Sequence, residues 1–204
     1  ISLKWNDRDH LVKFLATLSA NHTIKQTKSK MKSGKVHYKA TITINSKLLV
    51  SDLQKHGVIQ CKSKCLKFPS IPDNIIRHYI RGYFDGDGSW YLQKRKYPAF
   101  CAIGSTEFIT DFRTILVKSC ELSYNMLITT KHENIIRVRY TGAHQCCKIY
   151  HYMYEDCLIW MKRKKDVVSS YFEPDTNCPL SKVMINRLSK FKSGIITKCT
   201  TRLS

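Results

Sequence analysis

Apolar residues recur along this chain at two periods, four and two, and the two periods alternate. After a short extended run over 1–5, Leu11, Phe14, Leu15 and Leu18 fall on one face of a helix that Asp7 can cap. A second extended run begins at Ile24, and Gly34 marks a turn. Ala40, Ile42 and Ile44 then alternate with Lys39, Thr41 and Thr43, which predicts a half-buried strand with one polar, basic face. A short helix over 48–53 ends near Gly57. The run Phe68-Pro69-Ser70-Ile71-Pro72 is a stiff linker, because two prolines cannot continue a helix. Beyond it, Asp73 or Asn74 can cap a helix in which Ile75/Ile76, Tyr79/Ile80 and Tyr83/Phe84 recur every four residues. Strands over 90–95 and 98–105 follow, then a helix carrying Phe108, Phe112, Ile115 and Leu116. A strand pair over 126–130 and 135–140 and helices over 143–157 and about 160–171 close the pattern.

The order repeats. Residues 105–112 lie over 7–14 without a gap, 98 positions apart, and Lys162-Arg163-Lys164 lies over Lys62-Ser63-Lys64. Similar elements at similar spacing predict an internal duplication and an α+β fold. Residues 1–68 form a first repeat (strand-helix-strand-strand-helix), 69–73 the linker and 74–172 a complete second repeat. The second repeat opens with a helix and strand that have no counterpart in the first. The expectation is that these precede Ile1 and that the first repeat is truncated. Residues 173–204 are basic and fit neither repeat: an extra clamp, a link to a further domain and a disordered tail all stay open.

Charge narrows the function. Among 204 residues, 35 Lys and Arg stand against 15 Asp and Glu, a net charge of +20 that calls for a polyanionic partner. No apolar run approaches the roughly 20 residues of a membrane span, and no secretory segment opens the chain. The cations are spread along the whole chain rather than along one amphipathic helix, which favours nucleic acid over a membrane surface and an intracellular setting. Organelle, virus-infected cell and bacterial cytoplasm are equally open. Nine cysteines without pairwise rhythm read as reduced, mostly buried thiols; Cys61 and Cys65 have a zinc-like spacing but no second pair.

One motif carries chemistry. The helix before residue 88 ends Ile80-Arg81-Gly82-Tyr83-Phe84-Asp85-Gly86-Asp87-Gly88-Ser89. Gly82 and Gly86, four apart, strip one helix face of side chains, at a cost of about 1 kcal/mol each relative to alanine. Close approach of another helix is the usual reason, and acids at two such helix ends would repel unless a divalent cation lay between them. The plainer alternative is a surface turn, since Asp and Gly dominate turns.

The run Ile80–Gly88, in the context His78-Tyr79-Ile80-Arg81-Gly82-Tyr83-Phe84-Asp85-Gly86-Asp87-Gly88, resembles the motif of the LAGLIDADG homing endonucleases. The element order over roughly 1–172 is similar to that family's αββαββα repeat. The resemblance implies two glycine-faced helices at a pseudo-dyad, with saddle-shaped antiparallel sheets cradling double-stranded DNA in a monomer of pseudo-two-fold symmetry. It implies that Asp87 binds Mg²⁺ (or Mn²⁺), that the Gly86 carbonyl helps, and that Asp85 is a helix-end residue. It also implies a catalytic basic residue at Lys62 and Lys162. Ser105 and Asp7, at equivalent strand ends, are either water-positioning groups or helix caps.

DNA contact belongs to the polar strand faces. Counting by two from Asp87 gives Ser89, Tyr91, Gln93 and Arg95, while Trp90 and Leu92 face the core. Arg137 and Arg139 flank Val138 likewise, as do Lys39, Thr41 and Thr43 in the first repeat, with Lys25 and Thr27 extending that surface. Arg, Gln and Lys address base edges in a major groove that admits a two-stranded ribbon. Two functions fit: a site-specific, metal-dependent DNA endonuclease, impaired in a truncated chain, or a non-cutting nucleic-acid binder of the same fold, such as an intron RNA maturase or a DNA-binding regulator.

Overall fold

The computed structural model describes residues 1–30, 33–34, 36–58, 66–93 and 97–173. Lys62, Arg95, the Cys61–Cys65 pair and the tail beyond residue 173 lie outside the described residues. The first half runs β1 (Ser2–Lys4), a 3-10 turn (Trp5–Asp7), α1 (Arg8–Thr17), β2 (Lys25–Lys30), β3 (Val36–Thr41) and α2 (Lys47–Lys55). The second runs α3 (Asp73–Asp87), β4 (Gly88–Leu92), β5 (Pro98–Ser105), α4 (Thr106–Cys120), β6 (Ile128–Thr129), β7 (Ile135–Thr141), α5 (Ala143–Tyr154) and α6 (Lys162–Phe172). The fold is α+β, with helices packed on two antiparallel sheets.

The sheets have related orders, β1-β3-β2 and β4-β5-β7-β6. The first matches β5-β7-β6 strand for strand, so β1 is an edge where the second sheet adds β4. Apolar side chains concentrate in the second half, where Phe84 stacks on Phe100 at 4.9 Å and Phe108, Phe112, Ile149, Tyr150 and Met153 are fully enclosed. Among the described residues, the apolar core of the first half is Leu11, Leu15, Ala40 and Ile42. Helix α2 has no buried residue, and its Leu48, Val50 and Leu53 are exposed. Its counterpart α5 buries Cys146, Ile149, Tyr150, Met153 and Tyr154, because α3 packs along it.

Several expected details differ. Asp73 is the first residue of α3 and caps nothing through its side chain, since Pro72 holds the N-cap position. Helix α5 stops at Tyr154, short of 157, where the Arg81 guanidinium takes the Met153 carbonyl at 2.9 Å. Leu92, at the end of β4, is exposed rather than in the core. Ser105 does cap α4, its Oγ accepting from the Phe108 N–H at 3.4 Å. Asp7 sits at the start of α1 without capping it, because its carboxylate is engaged elsewhere.

That engagement joins the halves. The Arg163 guanidinium donates to both Asp7 oxygens, at 3.1 and 3.2 Å, across 156 residues of chain. Beside it, the Lys13 ammonium lies 4.5 Å from the Trp160 ring centre. The repeat predicts a mirror contact, and one is present. Ser105 Oγ donates to the Leu66 carbonyl at 2.5 Å, and Phe68 stacks on Phe108 at 5.4 Å. Each half's trailing segment therefore crosses to the strand–helix turn of the other.

Candidate acidic centre and nucleic-acid interface

Helix α3 divides into three stripes. Ile80 and Phe84 enter the core. A neighbouring stripe, Arg77, Arg81 and Asp85, holds the α5–α6 connection: Arg77 donates to the Glu155 carbonyl, Arg81 Nε to the Ile159 carbonyl at 2.8 Å, and the Met161 N–H to Asp85 at 2.9 Å. Arg81 also meets His78 Nδ1 at 3.0 Å; burial, with Arg81 and Arg77 close by, pushes the His78 pKa down and keeps it a neutral acceptor. Burial pushes the Asp85 carboxyl up, opposed by the Met161 N–H and by His10, Lys164 and Arg81. Asp85 is thus an interior helix-end residue that anchors the next segment, not part of a surface turn.

The third stripe, Gly82 and Gly86, is open. Nothing lies within 4 Å of where either Cβ would stand, and among the described residues no helix covers them. Asp87 follows, exposed, at the end of α3. It lines a cleft of about 530 Å³ with Gly82, Gly86, Tyr83, Gly104 and Ser105. The Tyr83 hydroxyl donates to the Ile103 carbonyl at 2.8 Å, which only a glycine at 104 permits, since a Cβ there would stand 2.2 Å from that hydroxyl. Burial first, and the Asp87 charge second, hold the Tyr83 phenol up and therefore neutral.

The basic residue at this centre is Lys164. Its buried Nζ donates to the carbonyls of Phe84, Gly86 and Gly88 at 2.8, 3.0 and 2.7 Å, taking the orphan acceptors where α3 turns into β4. Burial pulls its pKa down to about 8 against the opposing charge of Asp85. Lys162 is not brought here: it is exposed on α6, paired with Asp166, and lines a separate cleft with Asp7 and Arg163. Sequence spacing held the signal, since Lys164, Val168 and Phe172 recur every four residues and all three are buried. Ser105 reaches the Asp87 cleft, but its hydroxyl proton is given to Leu66.

Mg²⁺ takes about six oxygens. Asp87 fits as one carboxylate ligand. The Gly86 carbonyl, expected as a helper, already accepts from an ammonium. Among the described residues no group of three or more His, Cys, Asp or Glu could hold a metal ion. The described chain fits one part of a metal site rather than a whole one.

Both sheets carry a polar face. In the second, pairing sets Ser89 beside Cys101 and Arg139, Tyr91 beside Ala99 and Thr141, and Ile103 between Arg137 and the cleft. Ser89, Arg137 and Thr141 are exposed, and Tyr91, Gln93 and Arg139 are half-buried. In the first, Lys25, Thr27, Lys39 and Thr41 share one face with Ser2, Lys4 and His37, which alternation on single strands had not gathered. Thr43 is exposed just beyond β3. Cys101, Cys120, Cys146 and Cys157 are thiols outside any disulfide; burial raises Cys120 and Cys146 to about 12.

No known sequence family matches the chain, and no curated protein matches it in sequence. Solved structures do match in fold. A full-length DUF199/WhiA protein from Thermatoga maritima superposes with a TM-score of 0.50 at 12% identity, covering 97% of this chain and 59% of that one. The I-SmaMI LAGLIDADG homing endonuclease bound to cleaved DNA gives 0.49 at 12% identity, over 97% of this chain and 82% of that one. The LAGLIDADG meganuclease I-AabMI bound to uncleaved DNA gives 0.43 at 13%, over 92% and 81%. The chain spans about three-fifths of the length of the WhiA structure, and at these identities the likeness is one of fold.

Proposed function

We propose that this chain belongs to a site-specific, double-stranded DNA endonuclease of the LAGLIDADG type, acting as a monomer with pseudo-two-fold symmetry. The observation that carries the reading is an exposed acid, Asp87, at the end of an open glycine face whose helix end a buried lysine holds in place. In this reading Asp87 is one ligand of a Mg²⁺ or Mn²⁺ site completed by a second acid, by DNA phosphate and by water. Bound there, the ion supplies Lewis acidity and a more acidic water. Lys164, rather than Lys162, fixes the peptide groups around Asp87 and sets a positive charge beside the reacting phosphate. The two basic strand faces hold the duplex.

The test is Asp87→Asn in the full-length protein. Cleavage in Mg²⁺ should fall by at least about a hundredfold while DNA affinity stays within threefold, as expected for loss of a group that acts only on the reacting phosphate. Retained cleavage sinks the assignment of Asp87. A second reading has its own support: the described residues present one acid of the pair, and the faces of α2 and of the glycine stripe are uncovered. It makes the protein a binder of DNA or intron RNA that does not cut. A wild-type protein that binds a defined duplex or RNA tightly and never nicks DNA in Mg²⁺ or Mn²⁺ would establish it.

A further inference from the structure

Resting on the proposal that the strand faces hold duplex DNA, we infer that the second sheet reads its target row by row outward from Asp87, about two base pairs per row. Arg137 and Arg139 each select a guanine in successive rows. The pairing register supplies the rows. Ile103, Arg137 and Ile128 form the row level with the start of β4, next to Asp87. Ser89, Cys101 and Arg139 form the next, then Tyr91, Ala99 and Thr141. Gln93, whose N–H meets the Tyr97 carbonyl, stands in the fourth. Side chains on one face of a strand recur every two residues, about 6.8 Å, and base pairs rise about 3.4 Å, so each row advances about two base pairs.

Chemistry distinguishes the rows. An arginine fork matches the O6 and N7 acceptors of guanine. Arg139 is the better organised of the two: its Nε is buried and its guanidinium carbon lies 5.8 Å from the Tyr91 ring centre, so less freedom is lost when it meets a base. Arg137 is exposed, and its neighbours across the ladder, exposed Ile103 and half-buried Ile128, are both aliphatic. An aliphatic side chain there suits a thymine methyl. The first row therefore reads guanine and a neighbouring thymine, the second guanine with Arg139 fixed by Tyr91, and the fourth, through Gln93, adenine.

The experiment is selection of bound duplexes from a randomised pool by the full-length protein and by Arg137→Ala, Arg139→Ala, Arg139→Lys and Gln93→Ala, each checked for an unchanged melting temperature. Arg137→Ala should erase a guanine preference of about tenfold or more at one position, and Arg139→Ala another about two base pairs away. Gln93→Ala should relax a position about four base pairs further on the same side. Arg139→Lys keeps the charge, so it should lose the guanine preference and hold overall affinity within a few-fold. Loss of preference at one shared position, an inverted order, or uniform weakening without altered preference overturns the row assignment. A wild-type protein that enriches no sequence overturns instead the site-specific reading on which it rests.

Discussion

Lys164 is a cation inside the protein with three carbonyls and no carboxylate on its ammonium, so its charged form is stabilised by dipoles against the loss of water. A pKa near 8 follows, below the ordinary lysine value of 10.5. Below pH 8 both the folded and unfolded chains hold this proton and the full desolvation cost is present. Between about 8 and 10.5 the unfolded chain binds more proton, so this group's contribution to stability rises with pH. In protein carrying ¹³C-labelled lysine, one Cε resonance, that of Lys164, should titrate near pH 8. Asp85→Asn removes the anion that opposes desolvation, so the midpoint should move lower still; a midpoint that stays put would remove Asp85 from the coupling. The sequence pointed to Lys162 rather than Lys164, because matching two repeats aligns the Lys162-Arg163-Lys164 run rather than its phase. The phase belongs to α6, and Val168 and Phe172 set it.

At the scale of elements, periodicity was a good guide wherever an apolar face has a partner. Helix α3 and strand β5 lie where four-residue recurrence and alternation predict them, since core burial and pattern agree there, whereas β4 starts at Gly88, two residues before the expected strand, and ends at Leu92. The ends were less legible. Long-range polar contacts such as Arg81 to Met153 decide where α5 stops, and no local residue announces them. Helix α2 is the instructive exception, being strongly amphipathic yet leaving Leu48, Val50 and Leu53 exposed, with no residue fully buried. Leu48→Lys should therefore change unfolding free energy by less than about 0.5 kcal/mol in this chain, as for an open surface site. Leu11→Ala, in the small enclosed core of the same half, should cost about 2–4 kcal/mol. Urea unfolding of both variants separates the cases, and a Leu48→Lys cost above about 2 kcal/mol would mean that something covers α2.

At the scale of the whole molecule, the charge excess governs long-range behaviour. With a net charge of +20 and basic residues on both sheet faces, DNA affinity should fall steeply with salt, by roughly 10³-fold or more between 50 and 200 mM if six or more phosphates are met. A shallow dependence in a titration of affinity against salt would place the cations away from the phosphates. Composition alone made this legible, whereas the distribution of the cations over two faces needed the strand register. The expectation of a polyanionic partner was thus legible early, and the grouping of the cations on one face of each sheet was not.

The crossed contacts of Asp7 with Arg163 and of Ser105 with Leu66 bear on what would follow a break in the backbone. A cut in the Phe68–Pro72 stretch severs the covalent tie between the halves, yet α6 still grips the turn before α1 and the residues around Leu66 still lie against α4. The two fragments would hold together as one particle. Two separately made polypeptides, divided there, could assemble into the same object, each contributing the strap that fastens the other.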